Sequence, residues 1–191
     1  YVTTLRNMVR KGYEWEMCGE ETLKRVRAAK NLTENNRRTR KLTVDEGDAL
    51  INQCSGHLRP IIITLLHTMQ RKEEVLSLEW DRNVFLKQGF IQLDATQTKN
   101  GQPRRIPITQ TLRETLQGLV RRVDVPFVFY HSKGKHNGER FDYIDTGFKA
   151  ACRRAGITNL TIHDLRRTGA SYLHKKKVPL VVISEILGHH D

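Results

Sequence analysis

Thr161–Asp191, TIHDLRRTGASYLHKKKVPLVVISEILGHHD, is the most informative segment of this chain of 191 residues. Three of its residues recur at the spacing of one helical face: Leu165, Thr168 and Tyr172. This spacing predicts a helix that buries one stripe against a core. Three nitrogen-bearing side chains share another face of the same helix: His163, Arg166 and Arg167. One imidazole and two guanidinium groups are therefore expected to point the same way at one helix end.

A second helix is predicted directly after the first, because Pro179 suits the first turn of a helix and Gly188 suits its C-cap. One apolar stripe is expected on it: Leu180, Ile183 and Leu187, with Ile186 beside them. His189 follows the capping glycine. The two helices would together present His, Arg and His, a combination that suits an oxyanion such as a phosphodiester.

The segment HDLRRT at 163–168, followed by LGH at 187–189, resembles the C-terminal signature of the phage-integrase family of tyrosine recombinases. An HxxR pair alone is weak evidence, since two residues at a fixed spacing arise by chance. The addition of LGH about twenty residues later makes the pattern specific. The resemblance covers Leu42–Asp191 and implies the tyrosine-recombinase catalytic fold.

The remaining patterns agree with an α+β, mostly helical domain that contains a small antiparallel sheet. Thr43–Glu46 is a capping box that starts a helix, and the apolar run Ile61–Met69 predicts a buried helix. Three short strands are predicted: Val84–Leu86, Phe90–Leu93 and Arg104–Ile108. Asn100-Gly101 is a hairpin turn signal between the last two strands. Two more segments are predicted to be helical: Thr109–Val123 and Tyr143–Ala155.

Three regions are expected along the chain. Residues 1–18 resemble the last helix of an otherwise missing core-binding domain, residues 19–41 form a basic linker, and residues 42–191 form a catalytic domain that lacks its C-terminal tail. A charge run of this kind suits a solvated linker, and it also suits a strap along a phosphate backbone. Three of its arginines are candidate DNA contacts: Arg37, Arg38 and Arg40.

The charge balance points to a polyanionic partner. With 33 Lys and Arg against 21 Asp and Glu, the formal net charge is +12, which favours nucleic acid first and an acidic membrane second. No apolar run approaches the ~20 residues of a membrane span, so we expect no membrane association. Three widely spaced cysteines indicate thiols in a reducing compartment, and no zinc-type spacing or carboxylate cluster predicts a metal.

The resemblance assigns catalytic candidates residue by residue. Arg71, Glu74 and Leu78 match the family pattern TGxRxxEhxxL, with Met69 where glycine is common. The alternative for Arg71 is a surface arginine paired with Glu74 or its neighbour. Lys99 lies at the predicted hairpin tip, where the family carries its catalytic lysine. Three further positions match the C-terminal motif: His163 and Arg166 match HxxR, and His189 matches LGH. Arg104, Arg105 and Arg167 are expected as DNA-backbone contacts or surface charge.

The family's nucleophile is a tyrosine about nine residues past the LGH histidine. All five tyrosines precede His189, so we expect the nucleophilic tyrosine beyond Asp191, and we expect the chain as given to bind DNA without cleaving it. The resemblance implies a cofactor-independent recombinase that forms a 3′-phosphotyrosyl link at duplex DNA attachment sites. It also implies a homotetramer on DNA and a cytoplasmic location in a bacterial or phage-infected cell. Two alternatives remain open: a type IB topoisomerase and a non-catalytic DNA-binding relative.

Overall fold

The computed structural model describes residues 2–29, 38–98 and 101–188. The chain divides into two compact units, Tyr1–Thr39 and Arg40–Asp191. The first unit contains two helices that pack together, α1 (Val2–Glu14) and α2 (Glu20–Ala28). The division therefore falls near the end of the predicted linker, two residues before the predicted start of the catalytic domain.

Helix α2 lies inside the segment that the sequence predicts as a basic linker. Its charges are ordered for a helix, with two acidic residues in the first turn and two basic residues in the last. Two ion pairs at i,i+4 spacing add to this order: Glu20–Lys24 at 3.0 Å and Glu21–Arg25 at 2.9 Å. Leu23 supplies the buried contact, at 6% exposure. The net positive charge of the segment hid this internal arrangement, and the helix lies within the residues that the sequence assigns to the linker.

The second unit consists of short helices around a three-stranded sheet. The helices are α3 (Val44–Gln53), α4 (Leu58–Thr68), α5 (Lys72–Leu76), α6 (Trp80–Asn83), α7 (Gln110–Gln117), α8 (Asp145–Arg154), α9 (Ile162–Lys175) and α10 (Leu180–Leu187). The strands are β1 (Val84–Phe85), β2 (Phe90–Leu93) and β3 (Arg104–Pro107). This architecture confirms the predicted mostly helical α+β fold.

Helix α4 is the centre of the core. It is buried along most of its length and packs against α9, α7, α5 and α3, as its mainly apolar sequence predicts. Helix α3 begins with the predicted capping box: Thr43 Oγ1 accepts from the Glu46 amide at 3.2 Å, and the Glu46 carboxylate accepts from the Thr43 amide at 2.9 Å. Among the described residues, no helix is long and apolar enough to cross a membrane.

The sheet is antiparallel, with strand order β1-β2-β3. Leu93 pairs with Arg104 and Ile91 pairs with Ile106, so these four side chains share the buried face. The segment that connects β2 to β3 includes residues 99 and 100, which lie outside the described residues. The sheet therefore turns one basic side chain, Arg104, toward the interior.

Several predicted boundaries and one predicted stripe differ from the structure, among them the start of α4, which is Leu58 instead of Ile61. Helix α7 ends at Gln117 instead of Val123, and α8 begins at Asp145 instead of Tyr143. In α10, Leu180 is 67% exposed, whereas Ile183 and Ile186 are buried. The contacts of α10 with α9 and β3 select the Ile183–Ile186 face. The apolar sequence of α10 fits either of two adjacent faces, and only its neighbours distinguish them.

Candidate active site

Arg71 stands at the start of α5, directly after the chain leaves α4 through a tight turn. The turn is made by Met69, whose φ of 54° and ψ of 24° are left-handed. This conformation explains why glycine is common at the matching position of the family motif. The backbone N–H of Arg71 donates to Glu74 Oε2 at 2.7 Å, and its Nη1 donates to Glu74 Oε1 at 2.8 Å. The Glu74 pairing that the surface-arginine alternative names is thus present, and it holds Arg71 in one orientation.

Glu74 also binds a second arginine, from the sheet. Its carboxylate is 3% exposed, and Oε2 accepts from Arg104 Nη2 at 2.5 Å. Arg104 itself is 8% exposed, so the surface position expected for it is wrong. The alternation of β3 could have revealed this, because Arg104 is two residues before the buried Ile106 and falls on the same face.

Arg166, from α9, lies close to the cluster of Arg71, Glu74 and Arg104. Its side chain is buried and donates from Nη1 to the Met69 carbonyl at 2.6 Å and from Nη2 to the Leu187 carbonyl. Burial, followed by the charges of Arg71 and Arg104, lowers the pKa of Arg166 to about 10. Burial also lowers the pKa of Arg104. Three guanidinium groups are therefore crowded together, and Glu74 is the carboxylate among the described residues that bonds two of them.

His163 lies one helical turn before Arg166, on the exposed side of α9. Partial desolvation lowers the pKa of His163, and the charges of Arg167 and Arg166 lower it further. The ring is consequently neutral at pH 7 and can accept a proton or a hydrogen bond. The neighbouring Asp164 is fully buried, caps α9 through the Thr161 amide at 2.9 Å, and binds Arg167 Nη1 at 3.2 Å.

A cavity of about 240 Å³ joins three of the five predicted catalytic residues. Its lining consists of Gln70, Arg71, Lys72, Asp145, Thr161, Ile162, His163 and Arg166. Lys72 donates to Asp145 at 3.2 Å at this cavity. The other two predicted catalytic residues, Lys99 and His189, lie outside the described residues, as does Arg37. In the part of the chain that the structure describes, no cluster of three or more metal-type ligands occurs.

The other predicted DNA contacts do not line this cavity. Arg38 is exposed, and Arg40 is half-buried and bonds Glu46 through both Nη atoms at 3.0 and 2.5 Å. Arg105 points to the opposite face of β3 from Arg104 and bonds Gln92 at 3.1 Å. These arginines therefore remain surface charges, suited to a phosphate backbone more than to a reacting group.

Gly188 ends α10 directly against Arg104. Its φ of 67° is left-handed, as the predicted C-cap requires, and a Cβ at this position would collide with the Arg104 guanidinium. Arg104 thus contacts both Glu74 and the backbone next to His189. Sequence reasoning missed this role, because the Arg104–Glu74 and Arg104–Gly188 contacts join residues far apart in the chain.

The arrangement can bind and stabilise an oxyanion. Two guanidinium forks and a neutral imidazole face one polar cavity, and Arg104 adds a third positive charge behind them. Partly buried guanidiniums bind phosphate more strongly than exposed ones, since water screens them less. A phosphodiester whose oxygens gain charge during a reaction fits this environment.

Known proteins resemble this chain in sequence and in fold. The sequence profile of the Phage integrase family matches residues 40–191. The integrase of Salmonella phage P22 is 27% identical over 183 residues, covering 92% of this chain and 46% of that protein. The tyrosine recombinase XerA of Pyrococcus furiosus is 30% identical over 135 residues, covering 69% of this chain and 46% of that protein.

The fold of this chain matches a solved structure along the full length of this chain. A lambda integrase tetramer bound to a Holliday junction superposes with a TM-score of 0.75 at 20% identity, covering 100% of this chain and 57% of that chain. At this identity, the likeness shows the fold. The chain spans about half the length of the two curated relatives.

Proposed function

The chain belongs to the phage integrase family, and we propose that it forms the catalytic part of a site-specific DNA recombinase. The observation that carries the proposal is the cavity lined by Arg71, His163 and Arg166. These residues match the family motif, and they converge although more than ninety residues separate Arg71 from the other two. The surface-arginine alternative for Arg71 does not require this convergence.

The reaction follows from the chemistry of these groups. A tyrosine oxygen attacks the scissile phosphorus of duplex DNA, and the bond to the 5′ oxygen breaks as a 3′-phosphotyrosyl link forms. The nucleophile is a tyrosine beyond Asp191, as in the family. The 5′ hydroxyl of a partner strand then attacks the phosphorus and releases the tyrosine. Because the covalent link conserves the bond energy, the exchange needs no nucleotide cofactor.

Each residue has a distinct role in these steps. Arg71 and Arg166 donate to the nonbridging oxygens, which carry more charge in the transition state than in the substrate. His163 acts either as a base that accepts the proton of the nucleophile or as a hydrogen-bond partner within the site. Lys99 donates a proton to the leaving 5′ oxygen, and His189 adds a further donor to the phosphate. Glu74 orients Arg71.

Duplex DNA attachment sites are the proposed substrate. The net charge of +12 favours association with a polyanion, and Arg38, Arg40, Arg105 and Arg167 are proposed as backbone contacts, together with Arg37. The lambda integrase structure contains a tetramer on a Holliday junction. A homotetramer on paired DNA sites is proposed here by analogy, for integration or excision of a phage or mobile element in the bacterial cytoplasm.

The first experiment is a denaturing-gel assay for a covalent protein–DNA adduct on a nicked suicide substrate, with the full-length gene product. We expect an adduct with the unaltered protein and none with Arg166→Ala. Arg153→Ala, which removes an exposed arginine of α8, serves as the matched control and should leave the adduct unchanged. Arg166→Lys keeps the charge but removes the fork, and it should reduce the adduct while the fold is retained.

The alternatives predict different results. A type IB topoisomerase forms the adduct but rejoins the same strand, so products from two marked duplexes would stay unexchanged. A non-catalytic relative binds duplex DNA and forms no adduct. With about 6 to 10 phosphate contacts, binding should weaken about 10³- to 10⁵-fold between 50 and 200 mM salt. A salt-independent affinity would contradict DNA binding of any kind.

A further inference from the structure

Unpartnered polar atoms are concentrated at the arginine cluster. Across residues 2–29, 38–98 and 101–188, five side-chain nitrogen or oxygen atoms are buried without a hydrogen-bond partner, and they belong to Gln70, Trp80 and Arg104. Four of the five belong to Gln70 and Arg104. A buried polar group without a partner destabilises a fold, and such groups are rare in native proteins. Because Gln70 lines the cavity, an occupant of the cavity would supply partners for its two atoms.

Gln70 is placed to meet such an occupant. It is 1% exposed, it lines the cavity with Arg71, His163 and Arg166, and both ends of its carboxamide lack partners. Its position is fixed by its neighbours in the chain, because Met69 accepts from Arg166 on one side and Arg71 bonds Glu74 on the other. The family motif leaves this position variable, so no sequence pattern singled it out.

We propose that the Gln70 carboxamide binds the scissile phosphate directly, with Nε2 donating to a nonbridging oxygen. Phosphate oxygens accept hydrogen bonds and donate none, so Nε2 is the end of the amide that they satisfy. The amide strengthens the site without adding a fourth positive charge to guanidiniums that already lower the pKa of Arg166. This inference rests on the proposed recombinase function, because it assigns a further ligand to the same phosphate.

Two variants separate binding of phosphate from support of the fold. Gln70→Met keeps the length of the side chain and removes both polar ends. We expect adduct formation to slow about 100-fold, the effect typical of one lost oxyanion donor, while the unfolding temperature stays the same or rises. The matched control is Thr64→Val, since Thr64 is equally buried but its hydroxyl donates to the Pro60 carbonyl at 2.8 Å. The control should lower the unfolding temperature and leave the adduct rate unchanged.

Gln70→Glu provides a second test that does not depend on packing. It keeps the side-chain shape, replaces the donor by an acceptor, and places a carboxylate among guanidiniums that stabilise it. Adduct formation should fall at least as far as in Gln70→Met. A rate equal to that of the unaltered protein in either variant would overturn the proposal, because this is the result expected if solvent alone satisfied the amide. A rate loss matched by a lowered unfolding temperature in both variants would also overturn it.

A modified substrate locates the contact at one oxygen. Scissile methylphosphonates replace either of the two nonbridging oxygens by a methyl group. If Gln70 donates to one of them, the rate ratio between the unaltered protein and Gln70→Met should collapse toward 1 for one diastereomer only. An equal ratio for both diastereomers would overturn the assignment. Failure of the unaltered protein to form any adduct would instead contradict the proposed function itself, so the two failures are distinguishable.

Discussion

Removing the charge of Glu74 should destabilise the protein much more than its side-chain volume indicates. The carboxylate accepts three hydrogen bonds, from the Arg71 amide at 2.7 Å, Arg71 Nη1 at 2.8 Å and Arg104 Nη2 at 2.5 Å. Glu74→Gln keeps one acceptor and turns an N–H₂ group toward a guanidinium donor. Breaking a buried ion pair in this way costs about 3–5 kcal/mol, because one charge is left buried without compensation.

The retained acceptor places the expected loss at the lower limit, about 3 kcal/mol in the free energy of unfolding. At roughly 2–4 °C per kcal/mol for a chain of this size, the unfolding temperature should fall by about 6–12 °C. Circular dichroism during urea and thermal unfolding measures both quantities. Adduct formation should fall as well, since Arg71 loses the group that orients it.

Glu46→Gln is a matched control within the same protein. Glu46 occupies the same position in the first turn of α3, and it binds Arg40 and the Thr43 amide in the same pattern. Its side chain is 32% exposed, compared with 3% for Glu74. Water screens such a pair, so its loss should cost about 1 kcal/mol or less. Equal losses in the two variants, or a loss under about 1 kcal/mol in Glu74→Gln, would contradict the expected cost of breaking the buried ion pair.

Three further predictions follow from other positions of the site. Gly188→Ala should lower the free energy of unfolding by about 2–3 kcal/mol, because the left-handed φ of 67° costs about 1 kcal/mol and the Cβ also displaces Arg104. Gly156 has the same φ, but a Cβ there would meet open space, so Gly156→Ala should lose only the backbone contribution of about 1 kcal/mol in the same urea titration. Met69→Gly relieves about 1 kcal/mol of backbone strain but empties a buried site, which costs about 2–5 kcal/mol, so calorimetry should show a net loss. The lowered pKa of His163 means that the unfolded chain binds its proton more readily than the folded one, so stability should fall as pH drops below about 6.5. His163→Gln should make that decline shallower in unfolding curves measured between pH 5 and 8, and an unchanged slope would contradict the shift.

The core of the fold was predictable because local patterns specify it. The apolar run in α4, the capping box of α3 and the hairpin strands all appear where local sequence signals placed them. On the predicted α9 stripe, Leu165 and Thr168 are buried, whereas Tyr172 is only partly buried. Periodicity states which residues share a face, but it does not state what covers that face. This is why the boundaries of α7 and the buried side of α10 were missed, and why the helical charge order of α2 was overlooked within a basic segment.

The site shows the same division. The sequence already identified Arg71, His163 and Arg166 as catalytic candidates, because Arg71 stands in one motif that resembles the family and the other two stand in a second. The tertiary structure was needed to show that Arg104 is buried against Glu74, that Gly188 must lack a side chain beside it, and that Gln70 lines the cavity with a buried carboxamide that has no partner. The burial of a charge or an amide depends on groups that lie far away in the sequence. The free-energy cost of this burial is offset only where those groups come together in the folded protein.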